Sequence, residues 1–159
     1  MWVPLFPFGG FRRMAQVTKA SFLLSLLHRA SQRADNLFVR HVGKTGLTPR
    51  QFAVLHAVSE NDGLSQTDIM AATGIDRSST ADLVGRLVRS GCLQRRRTRR
   101  DARVYAVRLT LKGRQMIAIG VPAAAAADQA LLALLPKAQQ FALEKALTAI
   151  ALPSQSSQE

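Results

Sequence analysis

The stretch Leu64–Arg108 reads LSQTDIMAATGIDRSSTADLVGRLVRSGCLQRRRTRRDARVYAVR, and its patterning decides the fold. Two short helical patterns meet at a Thr73-Gly74 break, and two strand-like runs follow around a basic loop. Ser65 stands where the first helix needs an N-cap, with Asp68 three residues on. A carboxylate there can reach back to a free backbone amide, a variant of the capping box. Ile69 and Ala72 point inward from this helix, and Gly74 supplies the turn of a helix-turn-helix. Beyond it Asp76 or Ser78 can cap a second helix, whose Leu83, Val84, Leu87 and Val88 recur at helical spacing and form a stripe for burial. Arg77, Ser78, Ser79, Ala81, Asp82 and Arg86 then fall mainly on the opposite face. Small hydrogen-bonding side chains near an exposed helix N-terminus suit a major groove, because a bulky residue would hold the helix off the base edges. The N-terminus itself favours a phosphate.

Gly91 ends the second helix. The runs Leu93–Arg97 and Arg103–Leu109 read as the strands of a hairpin, and the later one alternates. Val104, Ala106 and Arg108 share one face; Arg103, Tyr105, Val107 and Leu109 share the other, so a half-exposed strand is expected. Thr98, Arg99, Arg100 and Asp101 form a cationic tip between them. By pattern the unit is a winged helix-turn-helix.

Three segments resemble the MarR family of transcriptional regulators. They are Leu47-Thr-Pro-Arg-Gln-Phe-Ala-Val-Leu55, the run Ile75-Asp-Arg-Ser-Ser-Thr80 with Leu83-Val84 and Arg86-Leu87, and Asp101-Ala-Arg103 followed by Val107-Arg-Leu-Thr-Leu-Lys-Gly113. The likeness is ungapped from about Leu47 to Gly113 and looser in the terminal helices. It implies a mainly α fold with a small β-hairpin wing. The DNA-binding lobe would span 47–110, between terminal helices at 14–46 and 111–152 that form a dimerisation region. Residues 1–13 read as a disordered arm or an over-extended start, with Met14 as the other candidate start, and 153–159 as a disordered tail.

The resemblance also assigns roles. In the family the residue matching Arg103 enters the minor groove and the one matching Asp101 holds its guanidinium. A planar cation fits a narrow A/T-rich groove, where the potential is most negative. The bland alternative is an exposed ion pair contributing under ~1 kcal/mol. Ser65, Gln66, Thr67, Asp76, Arg77, Ser78, Ser79, Asp82, Arg86, Arg97, Arg99 and Arg100 complete the expected DNA-facing set. Arg95, Arg96, Arg97, Arg99 and Arg100 cannot all touch DNA, because strand neighbours face opposite sides. This chain departs from the family twice. Its wing tip is Arg97-Thr-Arg-Arg100 where an acidic, proline-containing tip is usual, and Asp82 stands where a cation or polar residue is common. Asp82 cannot grip a phosphate; it can accept from a cytosine amino group or orient Arg86. Relatives commonly bind small aromatic or phenolic effectors between the dimer helices and the DNA-binding lobe. His28, Arg29, Arg33, Phe38, Phe52 and His56 are of the types such a ligand would meet, although each is more often plain core or surface.

Composition supports the same reading. The chain has 159 residues, one ordinary domain, and 22 Lys and Arg against 10 Asp and Glu. From Arg86 to Arg114 there are eleven basic residues and one acidic residue, which accounts for ten of the net +12 charges. A one-sign block beside a helix-turn-helix is the electrostatic footprint of a nucleic-acid partner, not of a membrane surface. The single Cys92 excludes an internal disulfide, fits the cytoplasm and reads as a small buried hydrophobe. The apolar opening Met1–Phe11 is broken by Pro4, Pro7 and two glycines, so it reads as neither signal peptide nor spanning helix. No nucleophile and base stand at a credible spacing and His28, His41 and His56 form no metal set, so no enzyme, cofactor or metal is expected.

Four further helical patterns flank the motif. One runs from Gln16 to about Val42 with Phe22, Leu23, Leu26, Leu27, Ala30, Ala34, Leu37 and Phe38 on a broad apolar face, and Gly43 and Gly46 break it. Thr48 with Pro49 starts another. Thr110 opens a third, in which Pro122 is expected to kink or break the helix and Ala123–Ala127 to allow close helix approach. Pro136 sets off a last helix. The expectation is a homodimeric, effector-relieved repressor on an inverted-repeat operator in double-stranded DNA; the alternative is an architectural DNA protein without effector control.

Overall fold

The computed structural model describes residues 22–97 and 105–152. In chain order these form α1 (Leu23–Val42), a 3-10 turn (Gly43–Thr45), α2 (Pro49–Glu60), α3 (Gln66–Thr73), α4 (Arg77–Arg89), β1 (Leu93–Arg97), β2 (Tyr105–Leu109), α5 (Leu111–Leu132) and α6 (Lys137–Ala151). The fold is therefore mainly α with one antiparallel hairpin, as the pattern implied.

The chain divides into two compact units, Met1–Arg33 and Ala34–Glu159. The described part of the first is Phe22 and the N-terminal half of α1, where Phe22, Leu23, Leu24 and Leu26 are all exposed. The expected start of this helix near Gln16 lies outside the described residues, as do the arm and the tail.

The second unit is built on one core. Val54 and Leu55 of α2, Ile69 of α3 and Val84 of α4 are fully buried, with Leu93 of β1 and Val107 of β2 beside them. Ala123 and Ala127 of α5 and Phe38 and Val42 of α1 join the same cluster. Each such aliphatic contributes roughly 1.5–3 kcal/mol relative to exposure. Together they fix the inward side of α4, and so its outward side.

Local chemistry sets the helix ends. The Gln51 amide donates to Thr48 Oγ1 at 3.2 Å and the Thr48 amide to Gln51 Oε1 at 3.1 Å, a full capping box with Pro49 in the first turn. Ser65 and Asp68 make the same reciprocal pair on α3, the Ser65 amide reaching Asp68 Oδ2 at 2.9 Å. α4 closes in a Schellman motif: Cys92 N donates to Leu87 O and Gly91 N to Val88 O, with Gly91 at φ 75°.

Three expectations need correction. β2 does not alternate: Ala106 and Val107 are both buried, while Tyr105 and Arg108 are exposed. The reason is a third strand-like contact, in which Val107 N donates to Leu64 O at 2.8 Å and lays the 63–64 turn along the free edge of β2. Ala72 does not point inward; it is exposed, at the end of an eight-residue helix that buries only Ile69. Of the kink or break expected at Pro122, the break does not occur, for α5 runs on to Leu132. Proline removes one hydrogen bond, and the Ala118 carbonyl left without its donor belongs to an exposed residue that water can reach.

α5 lies close to the lobe because Gly113 lets it. A Cβ on Gly113 would fall on the carbonyl oxygen of Cys92 and against Leu109. Thr110 adds a clamp: its hydroxyl lies 2.6 Å from Gly91 O, its Oγ1 accepts from Gly113 N at 3.1 Å, and its amide donates to Cys92 O. α5 is also 22 residues long and apolar enough by length and composition to cross a bilayer. Its small residues Gly113, Gly120, Ala123 and Ala127 are the buried ones, which is core packing against the lobe.

Candidate nucleic-acid interface

α4 begins on Asp76, not Ser78. Its Oδ1 accepts from the Ser79 amide at 2.9 Å and from the Ser78 hydroxyl at 2.8 Å. These bonds, the Ser79 amide first, hold the Asp76 carboxyl well below the usual carboxylate range. The Ser65 hydroxyl, then the Ser65 amide, lower that of Asp68 in the same way. Ser65, Asp68 and Asp76 thus have capping duties before any ligand arrives. The Ser78 hydroxyl hydrogen is already committed, which leaves its oxygen as an acceptor.

The buried side of α4 carries Thr80, Val84 and Leu87, with Leu83 and Val88 packed at its edges. Thr80 is fully buried and its hydroxyl donates to Ile75 O at 3.2 Å. The side away from this stripe presents Ser78, Ala81, Asp82, Arg86 and Arg89 to solvent, with Ser79 half-buried, while Arg77 is exposed in the first turn on the flank of the helix opposite Arg86. Asp82 Oδ2 sits 2.8 Å from Arg86 Nε, with both side chains more than half exposed.

Two residues of this face escaped the sequence reading. Ser78, Asp82, Gly85 and Arg89 are spaced 4, 3 and 4 apart and run as one ridge along the middle of the outward side. Gly85 lies inside a helix, where glycine costs roughly 0.8–1 kcal/mol relative to alanine. A Cβ there would meet only Arg89 Nη1, at 3.4 Å. Among the described residues no packing accounts for a glycine at this point. The spacing of the four residues was the signal that could have found it.

Gln66 is half-buried and Thr67 exposed at the start of α3. In the hairpin, Arg95 pairs with Val107, Arg96 with Ala106 and Arg97 with Tyr105. Arg95 and Arg96 are both exposed, on opposite sides of β1. Residues 98–104 lie outside the described residues, and with them the expected contacts of Arg99, Arg100, Asp101 and Arg103. Not every cation of the basic block faces outward for a ligand: Arg108 Nη1 pairs with Asp62 Oδ2 at 3.0 Å, and its guanidinium covers Gly63. Lys112 Nζ donates to Ser90 O at 2.8 Å, joining the C-terminus of α4 to α5.

The residues expected to meet a small ligand fall in both units. His28, Arg29 and Arg33 belong to the first, where all are exposed. In the second, the rings of Phe38 and Phe52 meet at a tilt with centroids 5.2 Å apart, and those of Phe52 and His56 likewise at 5.5 Å. Phe52 and His56 also line an open cleft of about 500 Å³, with Glu60, Asn61, Ala72 and Thr73 around it. The exposed position of Ala72 is explained by this cleft. Cys92 is buried and free. Among the described residues, no group of three or more His, Cys, Asp or Glu could hold a metal ion.

Comparison with known proteins follows this geometry. The MarR family model matches residues 45–104, the lobe from the end of α1 into the wing. A putative transcriptional regulatory protein for the hcr operon of Thauera aromatica is 33% identical over 93 residues, 58% of this chain and 56% of that protein. The match thus spans little more than half that relative. BpsR of Bordetella bronchiseptica, solved in a study of how 6-hydroxynicotinic acid regulates its DNA binding, is 30% identical with a TM-score of 0.72, covering 80% of this chain and 96% of that one. The transcriptional repressor CouR bound to a 23-mer DNA duplex is 29% identical with a TM-score of 0.73, covering 94% of this chain and 100% of that one.

Proposed function

Because the chain belongs to the MarR family of transcriptional regulators, we propose that it acts as a homodimeric repressor that binds an inverted-repeat operator in double-stranded DNA and releases it when a small aromatic effector binds. The observation that carries this reading is α4. Its inward side is locked by Thr80, Val84 and Leu87, and its outward side is narrow and polar, set between cations. Such a helix fits a major groove, and a hairpin with an exposed arginine on each side, Arg95 and Arg96, can turn one of them to a phosphate beside it. CouR on duplex DNA supports the choice of ligand. The relatives matched are regulators, not enzymes.

Dimerisation is supported by apolar surface that the chain itself leaves uncovered. Phe22 and Leu23 at the start of α1, and Phe141 and Ile150 on α6, are each at least 70% exposed. Large exposed apolar groups concentrated on terminal helices mark a protein contact. Two lobes held in fixed separation read two half-sites, so the second binding event becomes intramolecular.

An effector is supported by the Phe38, Phe52 and His56 ring cluster and the adjoining cleft. An aromatic ring can extend that cluster, and BpsR responds to 6-hydroxynicotinic acid. The test has two parts. Sedimentation should give a dimer at micromolar concentration, and footprinting on the promoter region of the gene should give one symmetric protected site. A monomer that protects no site removes the proposal. A dimer that protects a site but releases it for none of a panel of aromatic acids leaves the architectural alternative.

A further inference from the structure

We infer that Asp82 and Arg86 form a single base-reading unit in which Arg86 recognises a guanine edge and Asp82 is its positioning residue. The inference rests on the reading that α4 enters a major groove. The contact between them is specific in its atoms: Asp82 Oδ2 lies 2.8 Å from Arg86 Nε. A guanidinium bonded through Nε turns its two Nη groups away from the carboxylate. Those two groups then present the paired N–H donors that match O6 and N7 of guanine. An arginine held end-on by both Nη groups would have only its side edge, Nε and one Nη, left to offer.

The position of the pair supports the assignment. Asp82 lies on the ridge Ser78, Asp82, Gly85, Arg89, and Arg86 lies just beside it, so both reach the surface that a groove would face. Fold stability does not account for the pair. Its side chains are 63% and 53% exposed, and an exposed pair four residues apart on a helix adds little. Asp82 alone would oppose DNA, since an unpaired carboxylate on this face meets phosphate charge. Paired with Arg86 it approaches as a neutral unit whose outward edge donates.

Site selection from a randomised duplex pool tests this, using the full-length dimer as wild type, Asp82→Asn, Asp82→Glu and Arg86→Lys. The wild type should enrich a guanine at one position in each half-site, by about tenfold or more over the other bases. Arg86→Lys should lose that preference at that position and no other, because an ammonium cannot make the fork. Asp82→Asn should weaken the same preference about fivefold while its affinity for random duplex rises, and Asp82→Glu should restore much of it. A purely structural role would move neither base preference nor the balance between specific and random binding. If Asp82→Asn and Arg86→Lys both leave the selected sequence unchanged, the inference is wrong. It is also wrong if Asp82→Asn abolishes a cytosine preference that Arg86→Lys retains, since Asp82 would then read the base itself. A wild type that binds duplex and enriches nothing removes base reading altogether, and with it the operator proposed above.

Discussion

Replacing Gly85 with alanine should strengthen the fold and weaken DNA binding. A methyl at this helix-interior position gains roughly 0.8–1 kcal/mol from propensity alone. Among the described residues the new Cβ would touch only the end of the Arg89 side chain, at 3.4 Å. That end can move aside by rotating about several bonds. For a domain of this size the gain corresponds to a rise in melting temperature of about 4 °C. On DNA the same methyl sits on the middle of the outward ridge between Asp82 and Arg89, where it holds the helix away from the groove floor. A loss of about tenfold in operator affinity is expected, the equivalent of ~1.4 kcal/mol. Differential scanning calorimetry gives the first quantity and a fluorescence-anisotropy titration the second, on the same preparation. If the variant melts higher and binds its operator as tightly as the wild type, the ridge is not apposed to DNA and the orientation assigned to α4 fails. If it melts lower, the packing around Gly85 has been misread.

Three further outcomes follow from the same geometry. Gly113→Ala drives a methyl into the Cys92 carbonyl, so urea titration should show a loss of about 1–3 kcal/mol or more; an unchanged midpoint would mean that α5 can shift away from the wing at no cost. Thr110→Val removes the N-cap of α5 and its hydroxyl contacts to the end of α4, and should cost about 1–2 kcal/mol by the same titration, against an expectation of under ~0.5 kcal/mol for an uninvolved surface site. Asp76→Asn keeps a cap but removes a titrating group. Since the Asp76 carboxyl is depressed on folding, its contribution is fully present above the unfolded carboxylate value near ~3.9 and lost as pH falls toward the lower folded one. The acid limb of stability against pH should therefore be shallower in Asp76→Asn, with little change at pH 7; two superimposable acid limbs would show that the cap does not titrate with folding.

What was legible in the sequence was what neighbours decide. Thr48, Ser65 and Asp76 cap helices through residues three positions away, and the stripe through Leu83, Val84, Leu87 and Val88 needs only the helical period. The i,i+4 spacing likewise offered Asp82 as a partner for Arg86 before any coordinates did. The misses came from contacts between distant segments. Alternation in β2 fails because Leu64, more than forty positions earlier, closes on Val107. Ala72 is outward because α3 stops at the rim of a cleft whose other wall is α2. Gly85 and Arg89 carry no local signal of a ligand: a glycine inside a helix reads as a weak helix former and an arginine in the last turn as a favourable C-terminal charge. Arg108 carries a charge that composition assigned to the basic block, while in the fold it is paired with Asp62.

The most direct test of the outward face of α4 as a DNA reader is a salt titration of affinity for a selected operator and for a scrambled duplex of equal length. Both affinities should fall steeply with salt, in proportion to the phosphates neutralised, and the operator should stay at least about a thousandfold tighter near physiological salt. Equal affinity for the two duplexes at every salt concentration, or binding indifferent to salt, would contradict it.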